Sequence, residues 1–205
     1  MPRDGTKTRT AIMDAAEGLI LESGFAAASV DRVIDKAGIT KGTFFYHFSN
    51  KAALARSLIE RHAELDVGNL EEKMARAENL SRDPAQQLLI FVGLFEEEMA
   101  GLVEPYPGCL LSSYIMEAGL FEKETLATVT EVFDAWRDRL GAKLREAVDR
   151  HPPRLPVDIV SLADMITVVF EGAFLMSKSY NDAMLVARQL RHYRNYLELL
   201  FVPQQ

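Results

Sequence analysis

An all-α fold of about nine helices follows from three features of the sequence. Apolar residues recur at helical spacing along most of the chain. No stretch alternates for long as a half-buried strand does, and the breaks fall at glycines, prolines and capping residues. The 205 residues fit one domain or two small ones, and 48% hydrophobic content is enough for a packed core, which excludes a disordered chain.

The elements read in order. Residues 8–23 carry Ile12, Ala15, Ala16, Leu19 and Ile20 on one helical face, and Gly24 stops that helix. Ser29 is placed to cap a second, because its hydroxyl accepts a first-turn N–H, and Val30, Val33, Ile34 and Ala37 give it an apolar face up to Gly38. Thr40 then caps a short third helix over residues 41–48. Asn50 caps a long fourth one, from residue 51 to about residue 77. Breaks at Asp83-Pro84, Pro105-Tyr106-Pro107-Gly108, His151-Pro152-Pro153 with Pro156, and Asn181-Asp182 leave helices near 84–102, 108–119, 122–150, 157–179 and 182–201.

Charge and composition narrow the function. Residues 1–62 hold nine Lys/Arg against seven Asp/Glu, a charge of +2, whereas residues 63–205 hold fourteen against twenty-three, a charge of −9. A weakly basic head on an acidic body suits a chain that meets nucleic acid at one end. The N-terminal MPRDGTKTRT lacks the apolar core of a signal peptide. The most apolar segment, residues 157–176, is interrupted by Asp158, Asp164 and Glu171, and the single Cys109 has no partner in the chain for a disulfide. The expectation is a cytoplasmic protein with no membrane span. Gly-rich phosphate loops and nucleophile elbows are absent, and His47, His62, His151 and His192 are scattered without metal-ligand spacing, so neither an enzyme nor a cofactor is expected.

The densest signal is FFYHF, residues 44–48, just after a glycine turn. Phe44 and Phe48 are four apart and share a face, which with Ile39 packs inward and anchors a helix too short to stand alone. Lys41, Gly42, Phe45 and Tyr46 then face outward, with Thr43 and His47 at the flanks. Helix, tight turn and short helix have the proportions of a helix-turn-helix, whose second helix enters the DNA major groove. Gly42 lets backbone approach a phosphate, and Lys51 stands in the first turn of the next helix, where a phosphate is favoured.

The segment SVDRVIDKAGITKGTFFYHFSNKAAL, residues 29–54, with the spacing of the first helix, resembles the TetR family of bacterial transcriptional regulators. The resemblance implies phosphate or base contacts from Ser29, Thr40, Lys41, Gly42, Thr43, Phe45, Tyr46, His47 and Lys51. Many members carry tyrosine where this chain has Phe45, which replaces a hydroxyl bond to phosphate with an apolar contact such as a thymine methyl. It also implies a three-helix DNA-binding head over residues 1–55 and a ligand-binding and dimerising body over 56–205. Such a protein is a homodimer on a palindromic double-stranded operator, most often a repressor released by a small molecule. A DNA-organising protein with the same head and no effector is the alternative.

In the body, the helix over residues 157–179 is apolar nearly all round, with Asp164, Glu171 and Lys178 in one stripe. Two such helices from each of two chains would make a four-helix interface through Val160, Ile166, Val169, Leu190, Tyr193 and Leu197; the alternative is that both helices are the monomer's own core. Phe91, Phe95, Met99, Cys109, Tyr114, Phe133, Trp136, Phe170 and Phe174 are candidates to line a pocket for an apolar or aromatic ligand, against ordinary core packing. Tyr106 and Met116 belong to the same aromatic and Met-rich set. Cys109 lies in a PGCLL segment similar to one in some TetR-type bodies that sense electrophiles or oxidants; the other reading is a small buried hydrophobe. Glu117 and Glu171 stand in apolar surroundings and are expected to face solvent, pair with arginine or meet a cationic ligand, and Glu96, Glu97 and Glu98 read as a solvated face.

Overall fold

The computed structural model describes residues 5–201, so the first four residues of the N-terminal stretch discussed above lie outside it. Among the described residues there are nine α-helices: α1 Gly5–Ser23, α2 Val30–Ala37, α3 Lys41–His47, α4 Lys51–Leu80, α5 Pro84–Ala100, α6 Leu110–Met116, α7 Lys123–Arg150, α8 Ile159–Tyr180 and α9 Leu185–Phe201. A short 3₁₀ helix, Ala118–Leu120, follows α6. Side chains cap the starts of three helices. Asn50 Oδ1 accepts the Ala53 N–H at 2.8 Å, Asp83 Oδ1 accepts the Gln86 N–H at 3.0 Å ahead of Pro84, and Asp158 Oδ1 accepts the Ser161 N–H at 2.7 Å. Asn181 ends α8 in the left-handed region at φ 52°.

One expected helix breaks. Residues 108–119 read as continuous, yet α6 starts at Leu110 and stops at Glu117, whose φ of −114° and ψ of 29° turn the chain into the 3₁₀ helix.

The chain divides into two compact units. The first contains the described residues up to Leu65 together with Cys109–Thr130, so the segment after Cys109 packs with the N-terminal helices rather than with the body to which the sequence reading assigns it. The second contains Asp66–Gly108 and the chain from Glu131 onward. α4 and α7 each run through both.

In the second unit α9 packs on α5 and α8. Its inward stripe is Val186, Leu190, Tyr193, Leu197 and Leu200, all at most 1% exposed, and the buried Tyr193 hydroxyl donates to the Leu162 carbonyl at 3.0 Å. This corrects the expected interface. Ile166, Leu190, Tyr193 and Leu197 are core residues of this chain, because the i, i+3, i+4, i+7 stripe that made them conspicuous is the face turned inward. Val160 is exposed and Val169 half-buried, beside a stripe of Met165, Val168, Leu175 and Met176.

The glutamate run is corrected as well. Glu97 and Glu98 are exposed, but Glu96 is buried on α5 between two α9 guanidiniums, Arg191 at 2.7 Å and Arg194 at 3.0 Å. A second ionic cluster ties α4 to α7. Glu78 meets Arg139 and Lys143, each at 2.9 Å, and the Lys143 side chain is only 4% exposed. Burial acts to raise the Glu78 carboxyl, but hydrogen bonds and charge from Lys143 and Arg139 outweigh it and hold the group below its ordinary value of 4.5. A depressed carboxyl contributes stability above its unfolded pKa and loses it as pH falls through the folded one. Glu78→Gln is therefore expected to lower the urea midpoint at about pH 7, and its gap to wild type to narrow as pH falls below the ordinary value of 4.5; a gap that stays constant down the acid range would contradict the assignment.

Candidate nucleic-acid interface

The turn between α2 and α3 is built from two caps. Gly38 sits at φ 64°, and its N–H donates to the Asp35 carbonyl at 3.2 Å while the Ile39 N–H donates to the Ile34 carbonyl at 3.2 Å, a Schellman pairing that a residue without Cβ adopts at no steric cost. Thr40 then starts α3, its Oγ1 accepting the Thr43 N–H at 3.1 Å and lying 2.8 Å from the Thr43 hydroxyl. The reversal is tight enough to lay α3 beside α2.

α3 has seven residues and is held by its inward face. Phe44 is 0% and Phe48 3% exposed, their ring centroids 6.0 Å apart, and the Arg9 guanidinium lies 5.0 Å from the centre of the Phe48 ring. The outward face is the reverse. Phe45 is 46% and Tyr46 84% exposed, with Lys41 and Gly42 exposed beside them and Thr43 and His47 half-buried at the flanks. The Tyr46 and His47 rings meet edge to face at 5.0 Å. A Cβ at Gly42 would meet only Thr40 Oγ1, at 3.9 Å, so nothing inside the chain requires a glycine there, and the open backbone faces outward. Exposed Ser29 caps α2 through its Oγ, which accepts the Arg32 N–H at 3.3 Å. Eight of the nine candidate contact residues are thereby brought to the turn and the outer side of α2–α3.

Lys51 is the exception. Its ammonium does not reach outward from the first turn of α4. Nζ donates to the Phe25 carbonyl and, at 3.3 Å, to the Ala26 carbonyl, and lies 4.0 Å from the Phe25 ring centre. Burial lowers its pKa, with the Glu117 carboxylate opposing. Half-buried Glu117 in turn accepts the Phe25 N–H at 2.5 Å and the Ala26 N–H at 2.8 Å, so two backbone amides of this chain hold that carboxylate. This contact lies outside sequence reasoning, since nothing local to either segment signals a partner 92 residues away.

The pocket candidates fall in both units. Phe91, Phe95, Trp136 and Phe170 form a buried aromatic cluster in the second unit with centroid distances of 5.2 to 6.2 Å. Phe174 extends it to Tyr106, stacked at 4.5 Å, and the Trp136 indole N–H donates to Asp66 Oδ1 at 2.5 Å. Met99 is buried and Phe133 half-buried in the same unit. Tyr114 and Cys109 belong to the first unit. Tyr114 is core there, its ring 4.6 Å from Phe121 and 5.6 Å from Phe25 and its hydroxyl donating to the Ala55 carbonyl at 3.4 Å, with burial raising its pKa. Half-buried Cys109 precedes α6, and its carbonyl accepts from the Ser113 N–H and hydroxyl at 3.2 and 3.1 Å. Exposed Met116 lines no part of the aromatic cluster.

A capped two-helix turn with an exposed aromatic outer face has the geometry of a helix-turn-helix. Residues 12–58 match the bacterial regulatory proteins of the tetR family, and residues 81–193 match the tetracyclin repressor-like C-terminal domain. The chain belongs to the TetR family, whose members are transcriptional regulators and not enzymes. It is similar to the transcriptional regulator AcuR of Cereibacter sphaeroides, 27% identical over 85% of this chain and 78% of that one. It is also similar to the transcriptional activator FasR of Mycolicibacterium smegmatis, 28% identical over 65% of this chain and 60% of that one. A TetR regulator structure from Chloroflexus aurantiacus shares the fold with a TM-score of 0.77 at 22% identity, covering 98% of this chain and all of that one.

The two faces of α3 make opposite demands. Phe44→Ala is expected to destabilise the protein by about 3–5 kcal/mol through the cavity it opens, and Tyr46→Ala to stay within roughly 0.5 kcal/mol of wild type, in equilibrium urea unfolding. Similar losses for both would contradict the orientation of α3.

Proposed function

We propose that this chain is a homodimeric repressor that reads a palindromic operator through α3 and leaves it when a small apolar or aromatic ligand binds in the body. The observation that carries the reading is the 84% exposed Tyr46 beside Phe45 on a helix whose other face is locked inside the protein. Adjacent large rings left this exposed mark a surface suited to a partner. The capping threonine, Lys41 and Gly42 border them with donors, charge and open backbone of the kind that phosphates and base edges accept. In this reading residues 1–55 are the reading head and residues 56–205 bind ligand and partner, in the cytoplasm.

A head that reads one half-site needs a twin to read two. The surface that suits the twin is the outer stripe of α8, where Val160, Met165, Val168 and Leu175 stay exposed on a helix whose mean hydropathy reaches 1.8. Length and composition would let this helix cross a membrane, but Asp164 on it pairs with Arg137 at 2.7 Å, and its other face packs on α9. A second copy covers such a stripe without breaking either contact. The ligand's place is the Phe95–Trp136–Phe170 cluster, where a flat apolar molecule exchanges ring–ring for ring–ligand contacts. Activation is the second reading, favoured by the similarity to FasR, which is named an activator.

The test is a titration of purified protein against the DNA flanking its own gene at two salt concentrations, with Tyr46→Ala, Gly42→Ala and Val168→Glu beside wild type. Wild type should bind one palindromic site with affinity falling steeply in salt. Tyr46→Ala should lose about tenfold or more, equivalent to about 1.4 kcal/mol. Gly42→Ala should bind less tightly while folding at least as well, and Val168→Glu should be monomeric and bind weakly. Binding to all DNA alike, blind to Tyr46→Ala, would support a DNA-organising protein instead. A ligand that releases DNA in the same assay, with promoter activity read alongside, separates repression from activation.

A further inference from the structure

We infer that Glu117 is a positioning residue for the DNA-reading helices, acting on the α1–α2 turn from a segment outside the helix-turn-helix; this rests on the DNA-binding reading above. The turn begins at Gly24, at φ 85°, whose N–H closes α1 onto the Ile20 carbonyl at 2.8 Å. The next two amides, of Phe25 and Ala26, then point the same way, and the two Glu117 oxygens take one each, Oε1 at 2.5 Å and Oε2 at 2.8 Å. The carbonyls of the same two residues accept from Lys51 Nζ. All four backbone polar groups of Phe25–Ala26 are therefore engaged by two side chains of opposite charge. The Phe25 ring is fixed in turn against Phe121 at 4.5 Å and Tyr114 at 5.6 Å.

This turn leads directly into Ser29, the cap of α2, and α2 leads through Gly38 into α3. A carboxylate bridging two N–H groups forms charge-assisted bonds, stronger than neutral ones and fixed in direction. It therefore holds more than the turn: it sets where α2 starts. The fit is close, since a Cβ at Gly24 would stand 2.7 Å from Glu117 Oε1. The Glu117 charge also favours the Lys51 ammonium, opposing the effect of its burial. Glu117 is the residue at which α6 ends.

A residue that merely stabilised the first unit would have the same bonds, so the test separates the two roles. In the full chain, wild type, Glu117→Ala and Glu117→Gln are compared by residue-resolved amide hydrogen exchange and by affinity for the operator. Glu117→Ala should speed exchange at Phe25 and Ala26 by about tenfold or more, as for lost hydrogen bonds to a charged group. Protection in the cores of α1 and α4 should stay, and operator affinity should fall about tenfold. Glu117→Gln, which keeps one acceptor oxygen, should lie between on both readouts. Unchanged exchange at the two amides, faster exchange with unchanged affinity, or an even loss of protection across the first unit would each overturn the proposal. Failure of wild type itself to bind any specific DNA would instead sink the DNA-binding reading, and the exchange measurement would still decide whether Glu117 holds the turn.

Discussion

A seven-residue helix cannot hold itself in water, and the first unit is arranged around that constraint. α3 is stable only because Phe44 and Phe48 are taken into the core and because Thr40 and Gly38 satisfy the backbone at its start. Anchoring one face so firmly fixes the other. With Phe44 inward, the rotation of a helix leaves Phe45 and Tyr46 no place but the surface. The same geometry that makes α3 possible therefore makes it a probe, fixed in orientation and bearing rings left largely exposed.

The support for that probe is not local. α1 reaches α2 through a turn whose amides are held by Glu117 and whose carbonyls are held by Lys51, and Arg61 on α4 forks to Asp14 and Glu17 on α1, each at 2.6 Å. Isolated exposed ion pairs contribute little. Here a carboxylate and an ammonium act on the backbone of one turn, where the Phe25 carbonyl also accepts the Ala28 N–H at 3.2 Å. The second unit follows the opposite plan. Its core is hydrophobic and aromatic, its ion pairs tie neighbouring helices at their edges, and α8 keeps an apolar stripe outside.

Most of the fold is legible in the sequence because its punctuation is chemical. Ser29, Thr40 and Asn50 cap the helices they precede, Gly38 ends α2 in the left-handed region, and the breaks at Asp83-Pro84 and Asn181-Asp182 fall where expected, whereas Asp158, which reads as a charge inside the 157–179 segment, is the cap of α8. The split of the FFYHF run into inward and outward rings follows from helical spacing alone. What periodicity misses is contact at long range. It places Ile166, Leu190, Tyr193 and Leu197 on apolar stripes but does not say on which side a neighbour lies, and the packing of α9 on α5 and α8 supplies the neighbours within the chain. It reads Glu96 with Glu97 and Glu98 as one solvated run, although two arginines of α9 meet only the first. Lys51 and Glu117 carry local signals for a phosphate site and an unpaired carboxylate. Each is satisfied instead by a turn that no spacing rule connects to it.

The central claim is that the outward face of α3 lies in the major groove at two half-sites of one operator. A photo-crosslinking side chain placed at position 46 in the full protein, with position 48 as control, tests this directly. Position 46 should crosslink to bases at two symmetry-related places about one helical turn apart, roughly 34 Å, and position 48 should give no crosslink. Crosslinks spread evenly along the DNA, or equal yields from the two positions, would contradict it.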